Sequence, residues 1–193
     1  REIRAEGIEF YGLDASKKTI LVTGGSLGAG TLNKAVMRCL KDIGQWQEVQ
    51  VLWQCGSYYY EDLKKQLDGK LPENVKLLAF LKRMDLAYAA ADIVVARAGA
   101  GTISELCLLE KAAVLIPSPN VAEDHQTKNA MALVDKGAAV MIRDTEAEER
   151  LEQVLTGLLS DEKQWKELEK HIAKLAIRDS DEQIAREILK VIG

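Results

Sequence analysis

The feature that most constrains this chain is an alternation that runs five times along it. Each round is a short β-rich apolar run followed by a segment with apolar residues at helical spacing. The runs are Thr19–Thr23, Val49–Gln54, Val75–Phe80, Ile93–Ala96 and Ala113–Pro117, with a sixth at Ala139–Ile142. Near-continuous apolar runs of this length fit strands covered on both faces. Helices are predicted between them over 31–40, 58–68, 84–90, 103–109 and 126–136. In the first, Leu32, Ala35, Val36, Cys39 and Leu40 share one face. Short connections between such units build a parallel sheet with helices on both sides. The expected fold is therefore α/β, a Rossmann-like six-stranded parallel sheet in a single domain over 1–193.

The ends read differently. Residues 1–18 are polar and irregular, a lead-in to the first strand. From 145 the pattern is helical only. Thr145-x-x-Glu148 reads as a capping box, followed by Leu151, Val154, Leu155, Leu158 and Leu159 on one face. A second helical stretch over 161–177 carries Trp165, Leu168, Ile172 and Leu175. Ser180-x-x-Gln183 reads as another box, followed by Ile184, Ile188 and Leu189. There is no internal repeat and no low-complexity tract.

Charge and composition exclude several classes. Lys and Arg total 26 against 30 Asp and Glu, a net charge of −4, and the sequence pI is about 5.4. Without a basic block, nucleic acid is not expected as a partner. Cys39, Cys55 and Cys107 are far apart, with no CxxC, and each lies in an apolar stretch. They read as buried free thiols of a reducing compartment, not as a disulfide framework or zinc site. No apolar run approaches the roughly 18 residues of a membrane span. The only histidines are His125 and His171, and there is no G-x-S-x-G. A hydrolytic triad is thus unsupported, and no metal-ligand spacing is present. His171, on an amphipathic helix between Trp165 and Leu175, reads as structural.

Three segments can carry chemistry. The first is the loop from Gly24 to Gly30, with Gly24, Gly25 and Gly28, between a strand and a helix. Its glycines permit close backbone approach, and the helix behind aims its N-terminal N–H groups at the loop. A diphosphate fits, and so does a plain tight turn. No P-loop Lys is present, and Asn33 stands where the dinucleotide fingerprint needs its third Gly. The second is Arg97-Ala98-Gly99-Ala100-Gly101-Thr102-Ile103-Ser104-Glu105, another glycine-rich helix start. Glu105 can accept both hydroxyls of a ribose, or it can close a capping box with Thr102. Arg97 reads as a structural ion pair ahead of a phosphate ligand. The third is Glu123-Asp124-His125-Gln126-Thr127-Lys128-Asn129. Its polar side chains suit sugar hydroxyls, while Asp124 suits an N-cap.

Together these segments carry a resemblance. Thr23-Gly24-Gly25-Ser26-Leu27-Gly28-Ala29, Arg97 to Glu105, and Asp124-His125-Gln126-Thr127-Lys128-Asn129-Ala130 occur in order and at matching separations. Over nearly its whole length the chain resembles the C-terminal domain of the MurG family. These are the UDP-N-acetylglucosamine–N-acetylmuramyl-(pentapeptide) pyrophosphoryl-undecaprenol N-acetylglucosamine transferases of peptidoglycan synthesis. The resemblance implies the C-terminal half of a GT-B glycosyltransferase, which holds the donor UDP-GlcNAc. It puts Ser26 at the donor diphosphate, Leu81 against uracil through its backbone, and Met84 beside it. Ala100, Gly101 and Thr102 would face the diphosphate, with Ile103 and Ser104 in the same stretch. Glu105 would bind the ribose, and Gln126, His125 and Asn129 would face GlcNAc.

Leu27 stands where many members carry Gln. No catalytic residue is expected in this chain. The general base, the lipid I acceptor site and the membrane contact belong to an N-terminal domain that the sequence lacks. The chain reads as part of a longer protein that works at the cytoplasmic face of the bacterial inner membrane. No metal or cofactor is implied, and this half alone is expected to bind donor without turnover. The alternatives are another GT-B transferase, a UDP-GlcNAc 2-epimerase, an NAD-binding regulatory module, or a protein-interaction domain.

Overall fold

The computed structural model describes residues 2–179 together with 182, 185, 186 and 188–190. Six parallel strands form one sheet: β1 (Lys18–Thr23), β2 (Val49–Gln54), β3 (Val75–Leu78), β4 (Ile93–Ala96), β5 (Ala112–Leu115) and β6 (Val140–Met141). Their spatial order is β3-β2-β1-β4-β5-β6. The expected sheet is therefore present, with shorter strands at its edges. β3 stops two residues before Phe80, and β6 is only two residues long. The helices are α1 (Glu2–Phe10), α2 (Gly30–Ile43), α3 (Tyr60–Gln66), α4 (Met84–Ala90), α5 (Ala100–Leu108), α6 (His125–Val134), α7 (Ala147–Ser160) and α8 (Glu162–Ala173).

Alternation along each strand divides the core into two layers. Ile20, Val22, Val51, Trp53, Val95 and Val114 face α2, α3 and α7, meeting Leu32, Val36, Leu63, Leu151 and Leu155. Leu21, Leu52, Val94, Ala113 and Leu115 face the other way, toward Leu86, Tyr88, Leu106, Leu133 and Ile172. Cys39, Cys55 and Cys107 are all free and buried. Burial pushes the Cys39 and Cys55 thiols up to about 11. His171 meets the Gly137 carbonyl through Nδ1 at 3.0 Å, a structural contact.

Residues 2–10 correct the sequence reading, because they are helical. α1 buries only Gly7 and Ile8, so no apolar stripe advertised it. It is held by its neighbour: a Cβ at Gly7 would lie 2.4 Å from the Leu86 carbonyl oxygen. Arg4 reinforces the seat by donating to the Ala90 carbonyl at 2.7 Å and to Asp92 at 3.0 Å. The box at Thr145 and Glu148 also fails. A short 3-10 turn over Asp144–Glu146 precedes α7, and no side chain caps that helix. Asp161 caps α8, accepting from the Gln164 N–H at 3.0 Å. The box at Ser180 and Gln183 lies outside the described residues.

One backbone crossing positions the first glycine loop. Gly28 (φ +85°) passes so close to the next strand's exit that a Cβ there would sit 2.0 Å from the Cys55 carbonyl oxygen. Gly56 (φ +92°) meets Gly28 in return, and a Cβ on it would be 2.2 Å from the Gly28 nitrogen. Behind the crossing, Asn33 is buried. It donates to the Cys55 carbonyl at 2.9 Å and accepts from Trp53 Nε1 at 3.0 Å. The residue that breaks the dinucleotide fingerprint thus ties α2 to the end of β2.

Two expectations follow. Gly7→Ala must move the α4 backbone or release α1, at a cost of about 1–3 kcal/mol. Denaturant melts should show the loss, and an unchanged midpoint would refute the close contact. In native protein at pH 8, a thiol reagent should titrate none of the three cysteines at a rate above that of unfolding. All three should react in denaturant.

Candidate functional site

The order of the strands places the site. The chain runs outward from β1 to β3, then returns to pair β4 with the other side of β1. In open parallel sheets, such a reversal leaves a crevice beyond the carboxyl ends of the two strands. Both glycine-rich segments leave from those ends. A cleft of about 810 Å³ opens there, lined by Gly24, Gly25 and Gly28 on one side and Gly99, Thr102 and Glu105 on the other.

Two helices begin at this cleft with open N-termini. α2 follows Ala29 and α5 follows Gly99, and neither residue supplies a capping side chain. The first-turn N–H groups of a helix have no partner within it, and their dipoles favour an anion. Thr102 lies inside α5, past its start, so it does not cap with Glu105. That settles one alternative. Glu105 instead accepts from the Tyr88 hydroxyl at 3.0 Å and lines the cleft, exposed. Burial, reinforced by the Glu105 carboxylate, raises the Tyr88 hydroxyl above its ordinary value. Tyr88 therefore remains a donor across the physiological range.

Arg97 takes the structural role expected of it. It pairs with Asp144 and also donates to the Ile116 carbonyl at 2.9 Å and the Pro117 carbonyl at 3.2 Å. Asp144 accepts in turn from Thr31 Oγ1 at 2.9 Å. The pair stitches the start of α2 to the ends of β4 and β5, at the wall of the cleft.

The remaining candidates divide. Met84 and Gln126 line the cleft. The Gln126 side-chain carbonyl accepts from the Ser118 N–H at 2.9 Å, which leaves its amide nitrogen as the group to offer a ligand. Ser26 is exposed at the loop tip, outside the lining, and its carbonyl accepts from the Ser57 N–H at 3.3 Å. Leu81 has a buried side chain in the second core layer, away from the lining. Ala100 and Gly101 are exposed in the first turn of α5.

Ile103 and Ser104 face elsewhere. They line a separate hollow with Cys107, Leu133 and Lys136. Residues three apart share a helix face, so Thr102 and Glu105 point together while the two between them turn away. His125 is exposed and outside the lining. Asn129 donates to the Ala98 carbonyl at 3.0 Å, bracing the loop before α5. Asp124 does not cap the α6 backbone; its carboxylate accepts from Thr127 Oγ1 at 2.6 Å.

Sequence reasoning missed several lining residues: Thr23, Thr31, Lys34, Tyr59, Tyr88, Ser118, Asn120 and Asp144. Thr31 and Lys34 had a usable signal, being one helical turn apart at the start of α2. Tyr59, Tyr88 and Asp144 had none, because they reach the cleft from elements remote in sequence. Among the described residues, no cluster of three or more His, Cys, Asp or Glu side chains is arranged to hold a metal ion.

Comparison with known proteins agrees with this architecture. Residues 19–184 match the glycosyltransferase family 28 C-terminal domain. A protein of Bacteroides thetaiotaomicron named UDP-N-acetylglucosamine–N-acetylmuramyl-(pentapeptide) pyrophosphoryl-undecaprenol N-acetylglucosamine transferase is 48% identical over 190 residues, covering 97% of this chain and 51% of that protein. A protein of the same name from Parabacteroides distasonis is 50% identical over 98% of this chain and 51% of its own length. The crystal structure of Acinetobacter baumannii MurG superposes with a TM-score of 0.79 at 30% identity, over 97% of this chain and 53% of that one. The chain thus spans about half the length of the relatives it matches. Its sheet and helices are those of the C-terminal half of a GT-B glycosyltransferase. By family match and by fold, this chain belongs to the C-terminal domains of glycosyltransferase family 28.

Proposed function

We propose that this chain is the donor half of an N-acetylglucosaminyltransferase and binds UDP-GlcNAc in the cleft. The observation that carries the reading is the pair of uncapped helix starts, α2 and α5, opening on one crevice with Glu105 beside them. A diphosphate bears charge that backbone N–H groups can take up without a metal ion. The Gly24–Gly28 loop with Ser26, and Ala100 to Thr102 across from it, would hold that group. Lys34 adds a cation on the α2 side.

Glu105 is suited to the ribose diol. Tyr88 occupies one of its oxygens and orients the carboxylate, leaving acceptor capacity for two hydroxyls. The uracil would lie by Met84 and Leu81. The Leu81 peptide N–H and carbonyl make no hydrogen bond among the described residues, so both remain available to a base. Gln126, through its amide nitrogen, is suited to GlcNAc, with His125 and Asn129 nearby on the same helix.

For the whole protein, the names of the relatives support transfer of GlcNAc to lipid I, making lipid II for peptidoglycan. The C4 hydroxyl of lipid I would attack the anomeric carbon with inversion, and UDP would leave. As UDP departs its charge grows, and the two helix starts can stabilise it. The general base, the acceptor site and the membrane contact would lie in the other half of the protein. The site of action would be the cytoplasmic face of the inner membrane. Among the described residues, no helix is long and apolar enough to cross a membrane.

Calorimetric titration tests the donor reading. The chain should bind UDP and UDP-GlcNAc saturably and should not prefer NAD. Glu105→Ala should weaken both uridine ligands by roughly 10- to 150-fold, the worth of about 1.5–3 kcal/mol in hydrogen bonds to a charged group. Tyr88→Phe, which loosens the carboxylate without removing it, should cost roughly 2- to 10-fold. Binding of NAD alone would overturn the reading. Supplied with lipid I and UDP-GlcNAc, this chain by itself should form no lipid II.

A further inference from the structure

Gln54 is the last residue of β2 and is 3% exposed, yet it is polar. Its register explains its reach. It lies opposite Thr23, at the end of β1, and opposite Leu78, at the end of β3. It therefore sits between the loop that leaves β1 and the loop that leaves β3. The first is the glycine loop at the cleft. The second runs through Ala79 to Leu81 and Met84.

Every hydrogen bond of the Gln54 amide runs to those two loops or to the strand end beside them. Its nitrogen donates to the Gly25 carbonyl at 2.8 Å and to the Ala79 carbonyl at 3.3 Å. Its oxygen accepts from Thr23 Oγ1 at 2.5 Å. Thr23 Oγ1 in turn accepts from the Gly25 N–H at 3.3 Å. The amide orientation is fixed by this circuit, since the Thr23 hydroxyl and the two carbonyls fit only one placement of nitrogen and oxygen. A single buried side chain thus sets the spacing between the two loops. The direct link is an amide brace across the sheet edge, and no other described side chain bonds to both loops.

We infer that Gln54 is a positioning residue that holds the diphosphate loop at the correct distance from the base-binding loop, so that one nucleoside diphosphate engages both. The inference rests on the donor reading above. Gln54 does not line the cleft and would not touch the ligand. Its effect is on the advantage of bridging. A ligand with both a base and a diphosphate profits from two loops held at its own span, because their ordering is completed before it binds. A ligand without the diphosphate, reaching the base loop and Glu105 but not the glycine loop, gains nothing from that spacing.

The test compares UDP with uridine on the 193-residue chain, by calorimetry for UDP and chemical-shift titration for uridine. Saturable UDP binding by the unmodified chain is the test of the donor reading itself, and its failure would be seen before any variant is made. Given that binding, Gln54→Met keeps the length and removes the amide. It should weaken UDP at least tenfold while changing uridine by less than twofold. Gln54→Leu, which also removes the amide, should shift the same ratio in the same direction. Equal weakening of both ligands would mean a general loosening of the fold and would overturn the inference. Unchanged UDP affinity in a folded Gln54→Met or Gln54→Leu protein would overturn it as well.

Discussion

Every feature of the cleft depends on the fourth strand coming back to pair with the first. β1 is completely enclosed, with β2 on one edge and β4 on the other. Because β2 and β3 have already been laid on one side, the loops after β1 and β4 leave in opposite directions over the sheet. The space between them cannot be filled by a crossover helix. Both loops then lead into helices whose starts face that space. The two helix starts belong to opposite core layers, since α2 packs with one face of the sheet and α5 with the other. A shared anion site needs both layers built correctly.

The glycines in this arrangement answer to the protein as much as to any ligand. Gly28 is required by the Cys55 carbonyl, which would be struck by any side chain there. Gly25, also at positive φ, faces open space, and a Cβ on it would meet no atom within 4 Å. Gly25 therefore answers to its backbone angle alone, whereas Gly28 answers both to its angle and to the close approach of the Cys55 carbonyl. A division runs through the polar residues. Arg97, Asp144 and Asn129 brace the loops. Glu105, Lys34 and Gln126 keep capacity directed at the cleft.

Much of the sheet was legible in the residues because fully buried strands have little freedom of composition. Ile93-Val94-Val95-Ala96 is apolar at every position because both faces are covered. The helices with a strong apolar stripe, such as α2 with Leu32, Ala35, Val36, Cys39, Leu40 and Ile43, were legible for the same reason. α1 was not. It owes its place to a glycine against a carbonyl oxygen and to Arg4 reaching Asp92, neither of which leaves a periodic trace. The capping pattern at Thr145 misled, because it has the right spacing but the wrong position relative to the helix start, and the same misplacement at Thr102 decided an alternative the sequence left open.

Local pattern was enough for the class of fold, the two glycine-rich helix starts, and Glu105 as the acidic residue beside them. These follow from period, glycine placement and the side chains next to a turn. Folding in three dimensions was needed to make Tyr88 orient Glu105, to set Asp144 against Arg97, and to turn Ile103 and Ser104 away from the cleft. It was needed too for Gln54 to join two loops that each lie 25 or more residues from it in the chain. Such pairings depend on strand order and register, which bring the ends of β1, β2, β3 and β4 to one edge. No local pattern encodes that meeting, because each partner sits in its own segment with ordinary neighbours.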